Sequence, residues 1–306
     1  MRGLVIKNTG SWYTAKIDGG AILECKIKGN FRLKSYFRTT NPIAVGDFVE
    51  LEQDSGASVI SDLCERKNFI IRRSSNLSAQ AQILAANLDL TALVVTVNYP
   101  ETSTVFIDRF LSVAEAYEIP ACLIFNKIDI FSLEEKEFLN DLATLYNTIG
   151  YKTFTVSALD ENSLKDLKNY FSEKTVLLSG NSGVGKSTLI NSLINSNIKT
   201  AQISSFSNKG VHTTTFSEMF ELPEGGYIID TPGIKGFGTV DMKPQEIGHY
   251  FKEIFKFSKN CRFANCLHIN EPDCAVLKAV ENQLISHSRY KSYLSILRDS
   301  EQGKYR

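Results

Sequence analysis

Residues 180–187 of the chain read Gly-Asn-Ser-Gly-Val-Gly-Lys-Ser, a complete G-x-x-x-x-G-K-S phosphate loop. An apolar stretch, Thr175–Ser179, precedes this loop, and a helical pattern opens at Thr188. Glycines let a backbone wrap closely round a phosphate chain, so that its N–H groups point inward at the start of a helix. The pattern therefore predicts a phosphate site built from Gly180, Asn181, Ser182, Gly183, Val184, Gly185, Lys186, Ser187 and Thr188.

A second motif, Asn126-Lys127-Ile128-Asp129, directly follows the apolar run Ala121–Phe125. The Asp129 carboxylate can accept two hydrogen bonds, from guanine N1–H and from the exocyclic amine, whereas adenine offers no such pair of donors. Lys127 can lay its stem over the base, and Asn126 can tie this loop to the phosphate loop. The motif therefore predicts a guanine-specific site.

Two short motifs follow later strands of the same region. Ser157-Ala158 comes after one strand, and the Ala158 N–H can meet guanine O6. Asp230-Thr231-Pro232-Gly233 comes after another. We expect Asp230 to hold Mg²⁺ through water and the Gly233 N–H to contact the γ-phosphate, while the Ser187 hydroxyl ligates the same ion.

Catalytic candidates lie in the phosphate loop and in the polar loop 209–215. Lys186 can reach the β- and γ-phosphates, and one threonine of Thr213–Thr215 should ligate Mg²⁺; Thr214 is favoured. Ile234 occupies the position after Asp-x-x-Gly, where a glutamine often orients the attacking water, and isoleucine cannot do so. His212 is the nearest replacement in sequence, and its alternative role is packing or contact with a partner.

The order of these motifs decides the topology of the central region. In an ordinary guanine-nucleotide switch protein the phosphate loop comes first and Asn-Lys-x-Asp comes near the end. Here the base motif precedes the phosphate loop, so the parts are those of a GTPase in circularly permuted order. Residues 71–240 also alternate apolar strands with helical stretches, which predicts an α/β P-loop GTPase domain with a parallel sheet covered on both faces.

The flanking regions differ from this centre. Residues 1–70 contain about five short strand patterns separated by turns, which fit a small β-barrel of the OB-fold type or an SH3-like barrel equally well. Basic residues alternate there with aromatic ones, some of which could stack on bases. These aromatic residues are Trp12, Tyr13, Phe31, Tyr36 and Phe37.

Residues 241–306 predict a mainly α-helical domain, with helical character from Ala275 to about Arg298. Cys261-x4-Cys266-x-His268-x5-Cys274 supplies three thiolates and one imidazole within this domain. That set closes a tetrahedron and leaves no position for water, which predicts one structural Zn²⁺ per chain; a reduced buried cluster is the alternative. Cys25, Cys64 and Cys122 are scattered and are expected to be small buried hydrophobes.

Composition and charge limit the class of protein. The 306 residues are 43% hydrophobic and 22% charged, with zero formal net charge, and no apolar run approaches a membrane span. No signal-peptide pattern opens the chain, so the cytoplasm is the expected compartment. Residues 1–40 carry eight Lys/Arg against two Asp/Glu, and residues 241–306 carry eleven against eight. The two basic ends suggest contact with a polyanion.

Taken together, the chain resembles the RsgA (YjeQ-type) family of circularly permuted GTPases. The resemblance covers the basic barrel, the permuted motif order, Gly210–Thr215, Ile234, the Cys/His pattern and the segment Ile107–Leu111. It implies GTP and GDP as ligands, 30S-stimulated GTP hydrolysis, late maturation of the small ribosomal subunit and contact with 16S rRNA by a monomer. Two alternatives stay open: a large-subunit assembly factor, and an RNA-binding module whose hydrolysis is incidental.

Overall fold

A computed structural model of the chain describes residues 1–29, 42–54, 56–73, 81–195, 217–230 and 242–301. The strands are β1 Arg2–Asn8, β2 Tyr13–Ile17, β3 Ile22–Ile27, β4 Phe48–Asp54, β5 Ala57–Leu63, β6 Phe69–Arg73, β7 Ala81–Ala86, β8 Leu90–Val95, β9 Ala121–Phe125, β10 Lys152–Thr155, β11 Lys174–Gly180, β12 Glu218–Glu221 and β13 Gly226–Asp230. The helices are α1 Thr104–Ala116, α2 Leu133–Ile149, α3 Glu161–Phe171, α4 Lys186–Leu193, α5 Pro244–Ile247, α6 Lys252–Ser258, α7 Ala275–Glu281 and α8 His287–Glu301. Within these ranges, no helix has the length and apolar character that crossing a membrane requires.

The first five strands close into a barrel. β1 pairs with both β2 and β4, β2 with β3, β3 with β5, and β5 with β4, so the ring is complete. The β3–β5 pairing is parallel, and the order around the ring is that of an OB fold. Alternate residues such as Val5, Tyr13 and Leu51 fill the interior. The predicted OB-type barrel is confirmed.

The central sheet positions the nucleotide motifs. Its strand order is β10-β9-β8-β11-β13-β12, and all neighbours are parallel except β12 and β13. Every residue of β8 is buried, because helices cover both faces of the sheet. Parallel strands deliver their carboxyl ends to one edge, and the crevice at that edge is where such sheets bind ligands. The predicted α/β domain in permuted order is confirmed.

Barrel and central sheet are joined at β12. β1 pairs with β12 in antiparallel register at Lys7 and Glu218. The Lys7 Nζ lies 3.0 Å from Glu218, and the Lys16 Nζ lies 2.6 Å from Glu221. These two lysines of the basic N-terminal region therefore hold the barrel against the central sheet, and their charge is offset at that junction.

The C-terminal helices do not form one continuous segment. The helical character predicted from Ala275 to about Arg298 is divided between α7 and α8 by residues 282–286. Gln283 adopts a positive φ of 59° in this break, which is incompatible with a right-handed helix. The division turns α8 back, so that it packs against α1 of the central domain.

A buried arginine fastens α8 to the central domain. The Arg289 guanidinium donates from Nη1 to the Asp108 carboxylate on α1 at 2.6 Å, and their side chains are 1% and 0% exposed. It also forms a two-pronged pair with Glu253 of α6, at 2.6 and 3.1 Å. The Tyr146 hydroxyl of α2 donates to the same Asp108 at 2.8 Å. One cation thus links four helices across the two domains.

Candidate active site

The phosphate loop joins the end of β11 to the start of α4, as the motif predicts. Gly180, Gly183 and Gly185 all have positive φ, at 153°, 85° and 93°. A Cβ at Gly180 would lie 2.6 Å from the Val94 carbonyl oxygen, so this position admits no side chain. Helix α4 begins at Lys186, which places the first backbone N–H groups of the helix toward the loop.

Asn126 connects the base motif to both neighbouring loops. Its Nδ2 donates to the Val184 carbonyl oxygen of the phosphate loop at 2.9 Å, and its Oδ1 accepts from the Ala158 N–H at 3.0 Å. Asn126 is 1% exposed, and its Nδ2 lies 2.4 Å from where a Cβ at Gly185 would stand. A side chain at position 185 would therefore collide with Asn126.

The Ala158 N–H, which is predicted to donate to guanine O6, already has an acceptor in Asn126. In this conformation an oxygen of a bound base would have to share or displace that bond. The loop itself is firmly built, because the Ser192 hydroxyl of α4 donates to the Ala158 carbonyl oxygen at 2.7 Å. The Ser163 Oγ accepts from the Ser157 N–H at 3.0 Å, which fixes the other predicted residue of this loop.

Lys127 and Asp129 lie at the open side of the crevice. The Asp129 side chain is exposed. Lys127 passes over the phosphate loop, where its Cε lies 3.8 Å from the Cβ position of Gly185, and its Nζ donates to the Tyr99 carbonyl oxygen at 2.6 Å. Tyr99 belongs to no recognised motif, and sequence reasoning did not select it.

Asp230 ends β13 beside the phosphate loop. Its Oδ1 is buried and has no hydrogen-bond partner among the described residues. Burial raises the pKa of Asp230, while the nearby Lys186 ammonium acts in the opposite direction. A buried carboxylate oxygen with no donor among the described residues, on the strand that pairs with β11 ahead of the phosphate loop, fits a hydrated Mg²⁺.

Several predicted site residues lie outside the described ranges. They are His212, Thr214 with its alternatives Thr213 and Thr215, Gly233, and Ile234.

The cysteine–histidine set forms a compact cluster in the C-terminal domain. The ligand atoms of Cys261, Cys266, His268 and Cys274 all lie within 4.8 Å of one another. The Cys261 and Cys274 sulfurs are 3.8 Å apart, and the His268 Nδ1 lies 3.6 and 3.5 Å from them. Tetrahedral Zn²⁺, with bonds of about 2.3 Å to sulfur and about 2.0 Å to nitrogen, would separate the ligands by about 3.8 and about 3.5 Å.

Neighbouring groups hold this cluster in shape. The Tyr290 hydroxyl donates to the His268 carbonyl oxygen at 2.7 Å. The Glu271 carboxylate accepts three backbone N–H groups of the intervening loop, at 2.6, 2.8 and 3.1 Å. Burial raises the pKa of the Cys266 thiol to about 12 and lowers the pKa of His268. A bound cation would favour the Cys266 thiolate and so oppose this effect of burial.

Comparison with known proteins agrees with this arrangement. The family model described as RsgA GTPase matches residues 63–240, and the one described as RsgA N-terminal domain matches residues 2–60. The small ribosomal subunit biogenesis GTPase RsgA of Bacteroides fragilis (strain YCH46) is 61% identical over 308 residues, covering 100% of this chain and 99% of the relative. The protein of the same name from Porphyromonas gingivalis (strain ATCC 33277) is 52% identical over 313 residues, with the same coverage.

Solved structures match over nearly the whole chain. YjeQ from Thermotoga maritima is 34% identical with a TM-score of 0.77, covering 98% of both chains. YloQ, described as a circularly permuted GTPase, is 27% identical with a TM-score of 0.76, covering 100% of this chain and 96% of the other. With the permuted motif order and the family match over residues 63–240, the conclusion is that this chain belongs to the RsgA GTPase family.

Proposed function

We propose that this GTPase binds the 30S ribosomal subunit and assists its late maturation, hydrolysing GTP to GDP and phosphate with stimulation by the subunit. The observation that carries the GTPase part of the proposal is the double contact of Asn126, which joins the base motif to the phosphate loop and to Ala158. The names of the relatives, small ribosomal subunit biogenesis GTPases, support the choice of partner.

The residues of the crevice divide into three roles. Asn126, Lys127, Asp129, Ser157 and Ala158 bind guanine, Gly180–Thr188 and Gly233 bind the phosphates, and Ser187, Thr214 and Asp230 hold Mg²⁺. A bound Mg²⁺ supplies charge neutralisation at the phosphates. Lys186 stabilises the charge that develops on the β–γ bridge, and His212 orients the attacking water in place of the glutamine that Ile234 replaces.

The C-terminal cluster binds one structural Zn²⁺ in this proposal. Four ligands fill the tetrahedron, so the ion organises the domain rather than taking part in hydrolysis. The separations among Cys261, His268 and Cys274, at 3.5–3.8 Å, agree with those of a zinc tetrahedron and support the choice of metal.

The barrel contacts 16S rRNA in this proposal. Trp12 is 44% exposed, and the Lys26 Nζ lies 4.0 Å from the centre of its ring. An exposed aromatic face beside a cation suits an unpaired base and its phosphate. Tyr13 is 1% exposed and belongs to the barrel core instead. Phe31, Tyr36 and Phe37 lie outside the described residues.

We place the protein in the cytoplasm as a monomer, with domains at residues 1–70, 71–240 and 241–306. The barrel strands end at Leu63, and β6 spans Phe69–Arg73, so the proposed boundary at residue 70 falls within β6.

Two lysines of the barrel provide a matched test of the rRNA contact. Lys28 forms an ion pair with Glu52 at 2.7 Å, whereas Lys26 packs on Trp12. Lys26→Gln should therefore weaken 30S binding and reduce the slope of log affinity against log salt by about one, as loss of a phosphate contact does. Lys28→Gln removes the same charge and should change both quantities less. Equal effects of the two variants would contradict the assignment.

A further inference from the structure

The loop between β8 and α1, residues 96–103, lies against the nucleotide motifs without being one of them. Its Tyr99 carbonyl oxygen accepts from the Lys127 Nζ at 2.6 Å. Its Pro100 ring lies 3.3 Å from where a Cβ at Gly183 would stand. The loop therefore lies next to both the base motif and the phosphate loop.

The backbone that presents this carbonyl is strained. Tyr99 has a φ of 57°, in the left-handed region that residues with a Cβ rarely adopt. Strained residues persist when their surroundings fix them, and they are concentrated at functional sites. The Tyr99 side chain is 59% exposed, so side-chain packing does not account for the conformation.

Asn98 is the residue that holds Tyr99 in place. Its Oδ1 accepts from the Tyr99 N–H at 2.9 Å, and its Nδ2 donates to the Glu135 Oε1 at 2.9 Å. Glu135 is itself fixed, because its Oε2 accepts from the Ser132 N–H at 2.8 Å in the capping box of α2. Asn98 thus connects the strained carbonyl to the rigid start of a helix.

Packing on the far flank of the loop is incomplete. A cavity of about 220 Å³ separates other parts of the loop from α1, β9 and α2, with Val97, Ile107 and Phe138 among its walls.

We propose that Asn98 is a positioning residue for the guanine nucleotide, acting through the Tyr99 carbonyl on Lys127. Lys127 has a long flexible side chain, and its stem serves as a wall of the base site only while its ammonium has a fixed acceptor. Holding that acceptor in advance lowers the entropy lost when the nucleotide binds. Asn98 therefore controls the rate at which GTP and GDP are released. It does not affect the rate of the hydrolysis step.

The expected consequence is a change in affinity without a change in maximal rate. Asn98→Ala loses both hydrogen bonds, which water partly replaces, so GDP release should be about 3- to 10-fold faster, equivalent to about 0.7–1.4 kcal/mol. KM for GTP should rise by a similar factor, while kcat and the melting temperature stay within error. A merely structural role would lower the melting temperature and kcat together.

Moving the carboxylate from position 135 to position 98 tests whether the Asn98–Glu135 contact itself is responsible. Asn98→Asp keeps the acceptor for the Tyr99 N–H but places a carboxylate against Glu135, so release should again be faster. Adding Glu135→Gln restores a donor opposite that carboxylate and should return release to within about 2-fold of wild type. Glu135→Gln alone completes the cycle, and Glu101→Gln, an exposed residue of the same loop, controls for charge.

Release of a fluorescent GDP analogue by stopped flow is the measurement. This inference rests on the proposed guanine site, so Asp129→Asn is measured in parallel. If Asp129→Asn leaves GDP binding unchanged, the guanine site itself is wrong. If Asp129→Asn weakens binding but release from both Asn98 variants matches wild type, or the double variant shows strictly additive effects, only the role of Asn98 is overturned.

Discussion

Replacing Arg289 with methionine tests how the C-terminal domain is held on the GTPase domain. The guanidinium contacts Asp108 at 2.6 Å and Glu253 at 2.6 and 3.1 Å, and both Arg289 and Asp108 are shielded from water. Methionine keeps the length and apolar contacts of the side chain but leaves a buried carboxylate without its cation. Removing one partner of such a pair costs about 3–5 kcal/mol.

That cost sets the size of the expected effect. If opening of the α1–α8 contact exposes the Asp108 carboxylate, the open population should rise roughly 200- to 5,000-fold. Hydrogen exchange of the backbone amides of α1 and α8, followed by mass spectrometry, measures this population directly. Local exchange is preferable to a melting temperature here, because it reports on the α1–α8 contact alone, whereas a melting temperature reports on the whole chain.

Two further variants show whether the change in exchange comes from loss of the buried ion pair or from any loss of charge on α8. Lys291→Met removes an exposed cation from the same helix and should leave exchange unchanged. Combining Arg289→Met with Asp108→Asn and Glu253→Gln removes the unpaired charges and should recover much of the lost protection. Exchange of Arg289→Met at the wild-type rate, or no recovery in the triple variant, would refute the reasoning.

Three more predictions concern the motifs. Asp129→Asn should weaken GDP binding and shift preference toward xanthine nucleotides, whose C2 carbonyl suits an amide donor; calorimetry with both nucleotides checks this, and unchanged GDP affinity would be the contrary result. Cys261→Ser should lower the zinc content from about one ion per chain, measured by elemental analysis, and weaken 30S binding while GDP binding stays largely intact. His212→Ala should retain GTP affinity and 30S binding but lose most of the 30S-stimulated rate; full stimulation would place the catalytic group elsewhere.

Much of the fold could be predicted because its signals are local. The apolar run Ala121–Phe125 is β9, and the periodic stretch Leu133–Ile149 is α2 with the same bounds. Such patterns depend on neighbours within a turn or a strand, and a sequence displays those directly. The permuted order also followed from motif positions alone, since each motif comes after its own strand.

What the sequence did not indicate depends on distant partners. The basic residues Lys7 and Lys16 pair with Glu218 and Glu221, about two hundred positions away, so their charge contributes less to a polyanion surface than composition suggested. The break between α7 and α8 was missed because residues 282–286 lack proline and glycine, the usual helix breakers.

In the candidate site, too, the motifs with local sequence signals were predicted, and the contact between distant residues was not. The phosphate loop and the Asn126 motif were predicted from their residues, because glycine spacing and an Asn-Lys-x-Asp pattern carry their chemistry in short stretches. Tyr99 acts through a backbone carbonyl, which every residue type possesses, and no sequence pattern marks it. Its positive φ and its bond to Lys127 become visible only in three dimensions.

The most direct test of the proposed function is the rate of GTP hydrolysis by the wild-type chain with added 30S subunits, with added 50S subunits, and with neither. Ile234 leaves the usual water-orienting position apolar, so hydrolysis without ribosomes should be slow. We predict strong stimulation by 30S subunits and none by 50S subunits. Equal rates in all three conditions, or stimulation by 50S subunits alone, would contradict a role in maturation of the small subunit.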